Sequence, residues 1–573
     1  MKILAFDIES NGLNEIIAGK KKEYCKEATK IWCLSVVDVD TGEKFLFEQD
    51  NMDQGIDLLR KADTIVGHNI LGFDIPLLER LFGSLHKEPY QNVLDTLILS
   101  RMLYPECAPT EEGSHSLAAW GKFLKFPKID YKGGWDSYTS TMGEYCVRDS
   151  EVTVALFKHM VAHPHYKTYN RAIRMEHVVA EMIRHQVENG FGFDLGGAEA
   201  LEMELLIEKS KIEDDMRGIF PDKTIIRHSE KTGKRLKDKI EVFNPGSRQQ
   251  IAQRLAEKYN FKPEETEKGN PRVDHDVLSQ LSYPEAKFLC QYFDTGKLMS
   301  QVSDWIARAK MSRDGRIHGY VNTLGTITGR MSAKEPNMQQ VSSDPRARAL
   351  FKPREGWVLV GSDLKGLELR MLAHYLYPYD KGIYAEEVVK GDIHTHNQKA
   401  MNLDNRTTAK TAIYCFLYGG GDAKFGKTIN VSTTKARKVK EDLLNNIPGL
   451  KKLIERCRFD AIGTGEVKPF NWRPIPVRKE HAALNTLLQS SGAHIAKAWA
   501  CIANQRLMME FGTERFGWVA SVHDELQLEC HPDVAHKIGK ILCESATRAG
   551  ELLKCDCLIE AEFKIGSNWS ETH

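Results

Sequence analysis

The chain has 573 residues and a mass of 65.0 kDa, enough for about four ordinary domains or two large ones, which excludes a peptide-like or wholly disordered protein. Its 79 Lys and Arg balance 79 Asp and Glu and 42% of residues are hydrophobic, so several cores can form and any basic surface for a polyanion has to be local. The 12 cysteines, from Cys25 to Cys557, hold no Cys-x-x-Cys pair and only one Cys-x-Cys, which excludes a zinc-finger or disulfide framework.

At the start, Ile3 to Phe6 is too short for a secretory apolar region, and no apolar run reaches the ~18 residues of a membrane span. The expectation is a soluble, cytoplasmic protein with no membrane segment. From residue 1 to about 165, the apolar runs Ile3 to Ile8, Ile31 to Val39 and Thr64 to Val66 alternate with helix-like stretches, the pattern of an α/β domain. Asp7 and Glu9 are alternate residues of the first run, so the strand period puts both carboxylates on one face. Gly67-His68-Asn69 and Phe73-Asp74 follow, and Tyr145 stands four residues ahead of Asp149 on an expected helix, which aligns phenol and carboxylate. Four converging carboxylates repel one another unless cations neutralise them. Two hard divalent ions with oxygen ligands would do so, in a site suited to phosphodiester hydrolysis with Tyr145 orienting the water.

From about 171 to 310, apolar residues recur at helical spacing (Ile173, Val178, Met182, Ile183, Val187), and Phe243-Asn244-Pro245-Gly246-Ser247 supplies a turn and an N-cap. Residues 221 to 240 hold seven Lys or Arg against three Asp or Glu, with Thr232-Gly233 at a turn. A solvated loop and a phosphate-contacting loop both fit that charge run. Further on, a strand from Trp357 to Ser362 delivers Asp363 to its end just before a helix. A long helical region spans about 392 to 460, and near Trp518 to Cys530 two short strands flank a polar turn that holds Asp524. Arg406, Lys410, Tyr414 and Tyr418 recur every four residues along one helical stripe, ended by Gly419-Gly420-Gly421. Two cations followed by two aromatics suit a nucleotide's triphosphate and base. His394 and His396 form a His-x-His pair with no third ligand spaced nearby, and their helix-start context fits phosphate contact better than metal.

In order and spacing, the Asp7, Glu9, Asp74, Tyr145 and Asp149 set resembles the DEDD-type 3′ to 5′ proofreading exonucleases that carry Tyr in their third motif. Thr328-Gly329-Arg330 with Pro336-Asn337, the Val358 to Arg370 segment, the Arg406 to Gly419 helix and His523-Asp524-Glu525 resemble the family A, Pol I-like DNA polymerases over nearly the whole chain. Gly366 to Arg370, Gly391 to Thr395, His481 to Gln489 and Asn568-Trp569 to His573 are most similar to the phage T7-like branch.

The resemblance implies an α/β, RNase H-like exonuclease domain at 1–165, followed by a right-hand polymerase domain with an α+β palm and helical thumb and fingers. Thumb and connecting segments would span 171–345, the palm 346–393 and 484–573, and the fingers 394–483. The implied activity is DNA-templated DNA synthesis with 3′-5′ proofreading, as in phage genome replication. Asp363, Asp524 and the Leu364 carbonyl would hold two Mg²⁺, with Mn²⁺ as a substitute, and Asp7, Glu9, Asp74 and Asp149 another two. Arg406, Lys410 and His394 would grip the triphosphate, Tyr414 would lie by the sugar and base, and Tyr418 by the templating pair. Glu368 would sit under the sugar 2′ position and disfavour ribonucleotides. His523 and Glu525 would support the primer terminus or metal site, and Arg330, Asn337, Asn485 and Gln489 would contact primer and template.

Implied partners are primer-template DNA, dNTPs and replisome proteins such as a helicase-primase and a single-stranded DNA-binding protein, with the enzyme a monomer in a host cytoplasm. Two departures from the family pattern stand out. Tyr414 occupies a position usually held by Phe, and residues 221 to 240 leave room only for a short loop where some relatives insert a long partner-binding segment in the thumb. With Asp7 so near residue 1, no 5′ nuclease domain is expected ahead of it. Two rivals are a single-subunit RNA polymerase, against which Glu368 speaks, and a non-catalytic DNA-binding factor, which clustered negative charge would hinder.

Overall fold

The structure, a computed structural model, describes residues 2–11, 28–85, 93–229, 231–312 and 314–573, so Cys25 lies outside the described residues. Five strands, β1 (Ile3–Ser10), β2 (Ile31–Asp38), β3 (Lys44–Glu48), β4 (Thr64–Gly67) and β5 (Val93–Asp95), form one mixed sheet in the order β3-β2-β1-β4-β5. The three apolar runs expected as strands are β1, β2 and β4. As the central strand, antiparallel to β2 and parallel to β4, β1 buries Leu4, Ala5 and Phe6 on both faces. Helix α1 (Asp74–Phe82) follows β4, and α2 (Ser140–Val161) packs across β1 and β2. The Thr139 side chain caps α2, and the Ser35 hydroxyl of β2 donates to the Cys146 carbonyl at 2.9 Å, fixing the helix on the sheet.

Helix α3 (Asn170–Asn189) joins two cores. Tyr169, Ala172 and Ile173 pack under the first sheet, whereas Met175, Val179, Met182, Ile183 and Val187 belong to the core of the second half. Helices α4 (Leu195–Ile219) and α5 (Pro284–Met311) then pack along one another. Between them the basic stretch departs from the expected loop. It folds into an antiparallel hairpin of β6 (Lys223–His228) and β7 (Arg235–Glu241), whose turn includes Gly233 at φ 65°. The β-branched residues Thr224, Ile225, Ile226 and Ile240 explain the strands, and Ile226 and Ile240 stay 59% and 65% exposed because none of the described residues covers them.

The second sheet contains β8 (Val358–Leu364), β9 (Phe516–Val522), β10 (Glu525–Cys530) and β11 (Ala561–Gly566), all antiparallel, in the order β9-β10-β8-β11. Gly366, left-handed at φ 54°, turns the chain from β8 into α6 (Leu367–Asp380). Helices α7 (Ile393–Ala400) and α8 (Arg406–Leu417) follow, with Asn405 capping α8. The long α9 (Ala483–Phe511) packs on α10 (Ala535–Leu552), where the Trp499 indole donates to the Leu542 carbonyl at 2.8 Å. Among the described residues, no helix is long and apolar enough to cross a membrane.

Candidate active sites

The first site forms where β1 meets α1 and α2. Strand periodicity presents Asp7 and Glu9 together, Asp74 opens α1, and Asp149 lies one turn after Tyr145 on α2. One Asp74 oxygen accepts from the Ile8 amide at 3.2 Å, which fixes α1 against the strand. Burial pushes the Asp7 carboxyl well above the usual carboxylate range, and Asp149, Asp74 and Glu9 push in the same direction. Glu9 is raised by burial and then by Asp149, while Asp74 is pushed up to about 8, chiefly by burial. Among the described residues, one cation enters the cluster: the Lys128 ammonium bonds Asp149 and lies 4.8 Å from the centre of the Tyr145 ring. Desolvation lowers the affinity of Lys128 for its proton, but Asp149 and Tyr145 outweigh that effect and keep the ammonium charged.

Asp149 is 3% exposed, and its second oxygen, Oδ1, is buried without a hydrogen-bond partner among the described residues. Among the described residues, four carboxylates against one lysine, one of them with a buried oxygen still unspent, fit a divalent cation site. Of the nearby Gly67-His68-Asn69 segment, the backbone does the fixing. The Asn69 and Leu71 amides donate to buried Asp95 at 2.8 and 3.1 Å, and His68 Nδ1 meets the Thr96 hydroxyl at 2.9 Å.

The second site lies at one end of the second sheet. β8 delivers Asp363 next to the β9–β10 turn, which His523 enters at φ 56° and which holds Asp524. The Leu364 amide donates to the Asp524 carbonyl at 3.0 Å, locking the two segments side by side. Asp363 is pushed up to about 7 by burial and then by Asp524, and Asp524 to about 6 by burial and then by Glu368. This pair too fits a cation. Behind it, Glu525 is 4% exposed and its oxygens accept from Gln527 and Trp569 at 2.7 Å and from His573 at 2.8 Å. Burial raises Glu525, but the His573, Trp569 and Gln527 hydrogen bonds outweigh it and hold the carboxyl low, so this group anchors the segment around Trp569.

On the open side of the pair, Glu368 accepts from the Tyr418 hydroxyl at 2.8 Å and from Arg330 at 3.3 Å. Tyr414 and Tyr418 stack with ring centres 6.4 Å apart at 24°. Burial, then Glu368, pushes the Tyr414 phenol up to about 12. Further along the stripe, Lys410 is exposed, and Arg406 forms a two-pronged pair with Asp392 at 2.8 and 2.9 Å. His394 Nδ1 is buried without a hydrogen-bond partner among the described residues. Asn485 and Gln489 bond one another at 2.9 Å on α9, and the Asn337 side chain caps the short helix Met338–Gln340.

Residue-level reading of the sequence missed Lys128, Cys146 and Asp392. Lys128 lies in an irregular loop with no periodic signal, but Cys146 stands three residues before Asp149 on the same helix, and Asp392 precedes α7 as an N-cap whose carboxylate accepts from the His394 and Thr395 amides.

The fold is that of a polymerase domain. Its architecture matches a solved POL domain of Pol1 from M. smegmatis in complex with DNA primer-template and dNTP, with a TM-score of 0.77 and 19% identity over 99% of this chain and 95% of that one. Within that class, residues 222–571 match the model for DNA polymerase family A, and the chain belongs to that family. The DNA-directed DNA polymerases of Enterobacteria phage T3 and Escherichia phage T7 are each 29% identical over 100% of both chains. DNA polymerase I of Aquifex aeolicus is 27% identical over 57% of this chain and 58% of its own. The chain is thus a DNA polymerase of a family that uses divalent metal ions.

Proposed function

We propose that the chain copies a DNA template at the second acidic site and edits the growing 3′ end at the first. The observation that carries this proposal is the pair of separate buried carboxylate clusters, each with carboxyls held above their ordinary pKa by burial and by one another, a surplus of negative charge that a cation would neutralise. In the synthetic site, Asp363, Asp524 and the Leu364 carbonyl would hold two Mg²⁺, with Mn²⁺ as a substitute. Asp7, Glu9, Asp74 and Asp149 would do the same in the editing site. When bound, these ions lower the pKa of the attacking oxygen and neutralise charge on phosphate.

The chain's own residues do the positioning. Arg406 exchanges Asp392 for the incoming triphosphate, joined by Lys410 and His394, whose Nδ1 has no partner to give up. Tyr414 lies against the sugar and base, and Tyr418 against the templating pair. Glu368, held by Tyr418 and Arg330, blocks a ribose 2′-hydroxyl. His523, Asn337, Asn485 and Gln489 face primer and template, and Glu525 supports the site through its anchor on Trp569 and His573. In the editing site Tyr145 orients the water that attacks the terminal phosphodiester.

On this proposal 1–165 is an RNase H-like exonuclease domain, 171–345 thumb and connecting segments, 346–393 and 484–573 palm, and 394–483 fingers, with the two sheets as frameworks. The substrates are primer-template DNA and dNTPs. The proposed setting is a phage replisome with a helicase-primase and a single-stranded DNA-binding protein.

The test is primer extension and 3′ degradation run in parallel. Asp363→Ala is expected to abolish extension and spare degradation, and Asp7→Ala to do the reverse. Loss of both activities in either variant would refute the division of labour.

A further inference from the structure

The hairpin that carries Arg330 is rooted in both halves of the chain. Its short strands Tyr320–Asn322 and Ser332–Lys334 pair antiparallel, and Val321 and Ala333 pack into the core of the second half. Leu324, two residues past the first strand, is instead buried in the core under the first sheet. Between these anchors the Asn322 side-chain oxygen accepts from the Leu324 amide at 3.2 Å and from the Arg101 guanidinium at 2.9 Å. Arg101 belongs to the helix Thr96–Leu103, which the Asp95 side chain caps at the end of β5.

The same helix meets the tip of the hairpin through a second arginine. Arg473 is 2% exposed and donates to the Met102 carbonyl at 3.3 Å, and a Cβ at Gly329 would lie 3.2 Å from its guanidinium. Gly329, left-handed at φ 80°, lets the loop close: its amide donates to the Thr326 carbonyl at 3.0 Å, and the Thr326 amide to the Arg330 carbonyl at 3.2 Å. From that closed loop the Arg330 side chain donates to Glu368 at 3.3 Å. A contiguous run of packing and hydrogen bonds therefore leads from the helix Thr96–Leu103 to Glu368.

Glu368 Oε1 accepts from two donors on different elements, the Tyr418 hydroxyl at the end of α8 and Arg330 on the hairpin. With Arg330 displaced, the carboxylate keeps one tether and can turn. A wall beneath a sugar discriminates only while it is held in place.

We propose that Arg101 is a positioning residue for sugar selection: through Asn322 it sets the hairpin, the hairpin sets Arg330, and Arg330 holds Glu368 against the 2′ position of the incoming nucleotide. This puts a determinant of synthetic specificity outside residues 222–571, in the half of the chain that bears the other acidic site. The inference rests on the reading of Glu368 as the group beneath the sugar, whereas the link from Arg101 to Arg330 does not.

The experiment measures single-turnover incorporation of a ribonucleotide and of its deoxy counterpart by the full-length protein, together with amide hydrogen exchange. Arg101→Met and Asn322→Ala are each expected to raise the ribo-to-deoxy ratio of kcat/KM about fivefold or more, chiefly through the ribonucleotide KM. Asn322→Asp keeps the acceptor and should stay at the wild-type ratio. In Arg330→Met the ratio is already raised, and adding Arg101→Met should raise it no further. Exchange at the Thr326 and Gly329 amides should quicken in Arg101→Met and in Asn322→Ala. A ratio unmoved in Arg101→Met, or one that multiplies with that of Arg330→Met, overturns the positioning role. Asn322→Ala removes the same bond from the other side, so an unmoved ratio there overturns it even where Arg101→Met fails to fold. Hairpin exchange equal to wild type in these variants overturns the link itself. A wild-type ratio in Glu368→Ala sinks the reading of Glu368 instead and leaves the exchange result standing.

Discussion

Tyr414 shows how much one oxygen can decide. Its ring stacks near Tyr418 and it lies in the field of both Glu368 and Asp524, and on the proposed function its hydroxyl stands among the groups that meet the incoming sugar. A phenol there can replace a hydrogen bond that a missing 3′-hydroxyl no longer makes, and such a bond contributes roughly 1 kcal/mol. Tyr414→Phe is therefore expected to lower dideoxynucleotide incorporation about fivefold to tenfold with little change for dNTPs, measured as the ratio of kcat/KM values. Equal incorporation by both proteins would remove this role.

The carboxyls carry a second prediction at the same scale. Asp363 titrates near its ordinary 3.8 when unfolded and at about 7 in the fold, so between those values the folded state binds more protons and stability falls as pH rises. With chelator present, the melting temperature should decline from pH 5 to pH 8, and magnesium should raise it more at pH 8 than at pH 5. A shift equal at both pH values would contradict the charge argument.

Among the elements, the β6–β7 hairpin is the one most exposed to test. A two-stranded ribbon with no cover is marginal on its own, and its charge favours a phosphate backbone. Arg235 is already paired with Asp238 at 2.9 Å, whereas Lys234, Lys237 and Lys239 have no ion pair among the described residues. Neutralising all four should flatten the salt dependence of DNA binding by about two to four in log–log slope, and an unchanged slope would place the hairpin away from DNA.

This hairpin also shows where sequence stops being legible. Charge dominates its composition, while its strands depend on a few β-branched residues that read equally well as a loop. The clustering of the carboxylates was readable because strand period and turn spacing are local: Asp7 with Glu9, Asp363 at a strand end, Asp524 in a turn. The Lys128 contact with Asp149, the Asp392 grip on Arg406 and the burial of Glu525 under Trp569 depend on tertiary approach, which no short window contains.

Across the whole molecule, α3 ties the two halves together. His177 Nε2 lies 2.9 Å from the Asp95 amide of the first sheet, Gln186 accepts from Ser521 of β9 at 2.7 Å, and Asn189 reaches Glu529 at 3.0 Å. Between these, Lys497 of α9 is 2% exposed and bonds both oxygens of Glu176 at 2.7 Å and the Thr323 carbonyl at 2.8 Å. Removing one partner of such a pair strands the other charge in the interior. Lys497→Met should thus cost about 3–5 kcal/mol in denaturant unfolding, and adding Glu176→Gln should recover part of the loss. A double variant no better than the single would mean that the pair is not coupled.

Because one unbroken rod is rooted in both cores, the two acidic sites stand at a set separation. On the proposed division of labour, a misplaced terminal nucleotide then reaches the first site by peeling from its template, not by a swing of the enzyme. Warming or a run of A·T pairs, which loosens the end of a duplex, would shift traffic toward removal without altering either centre.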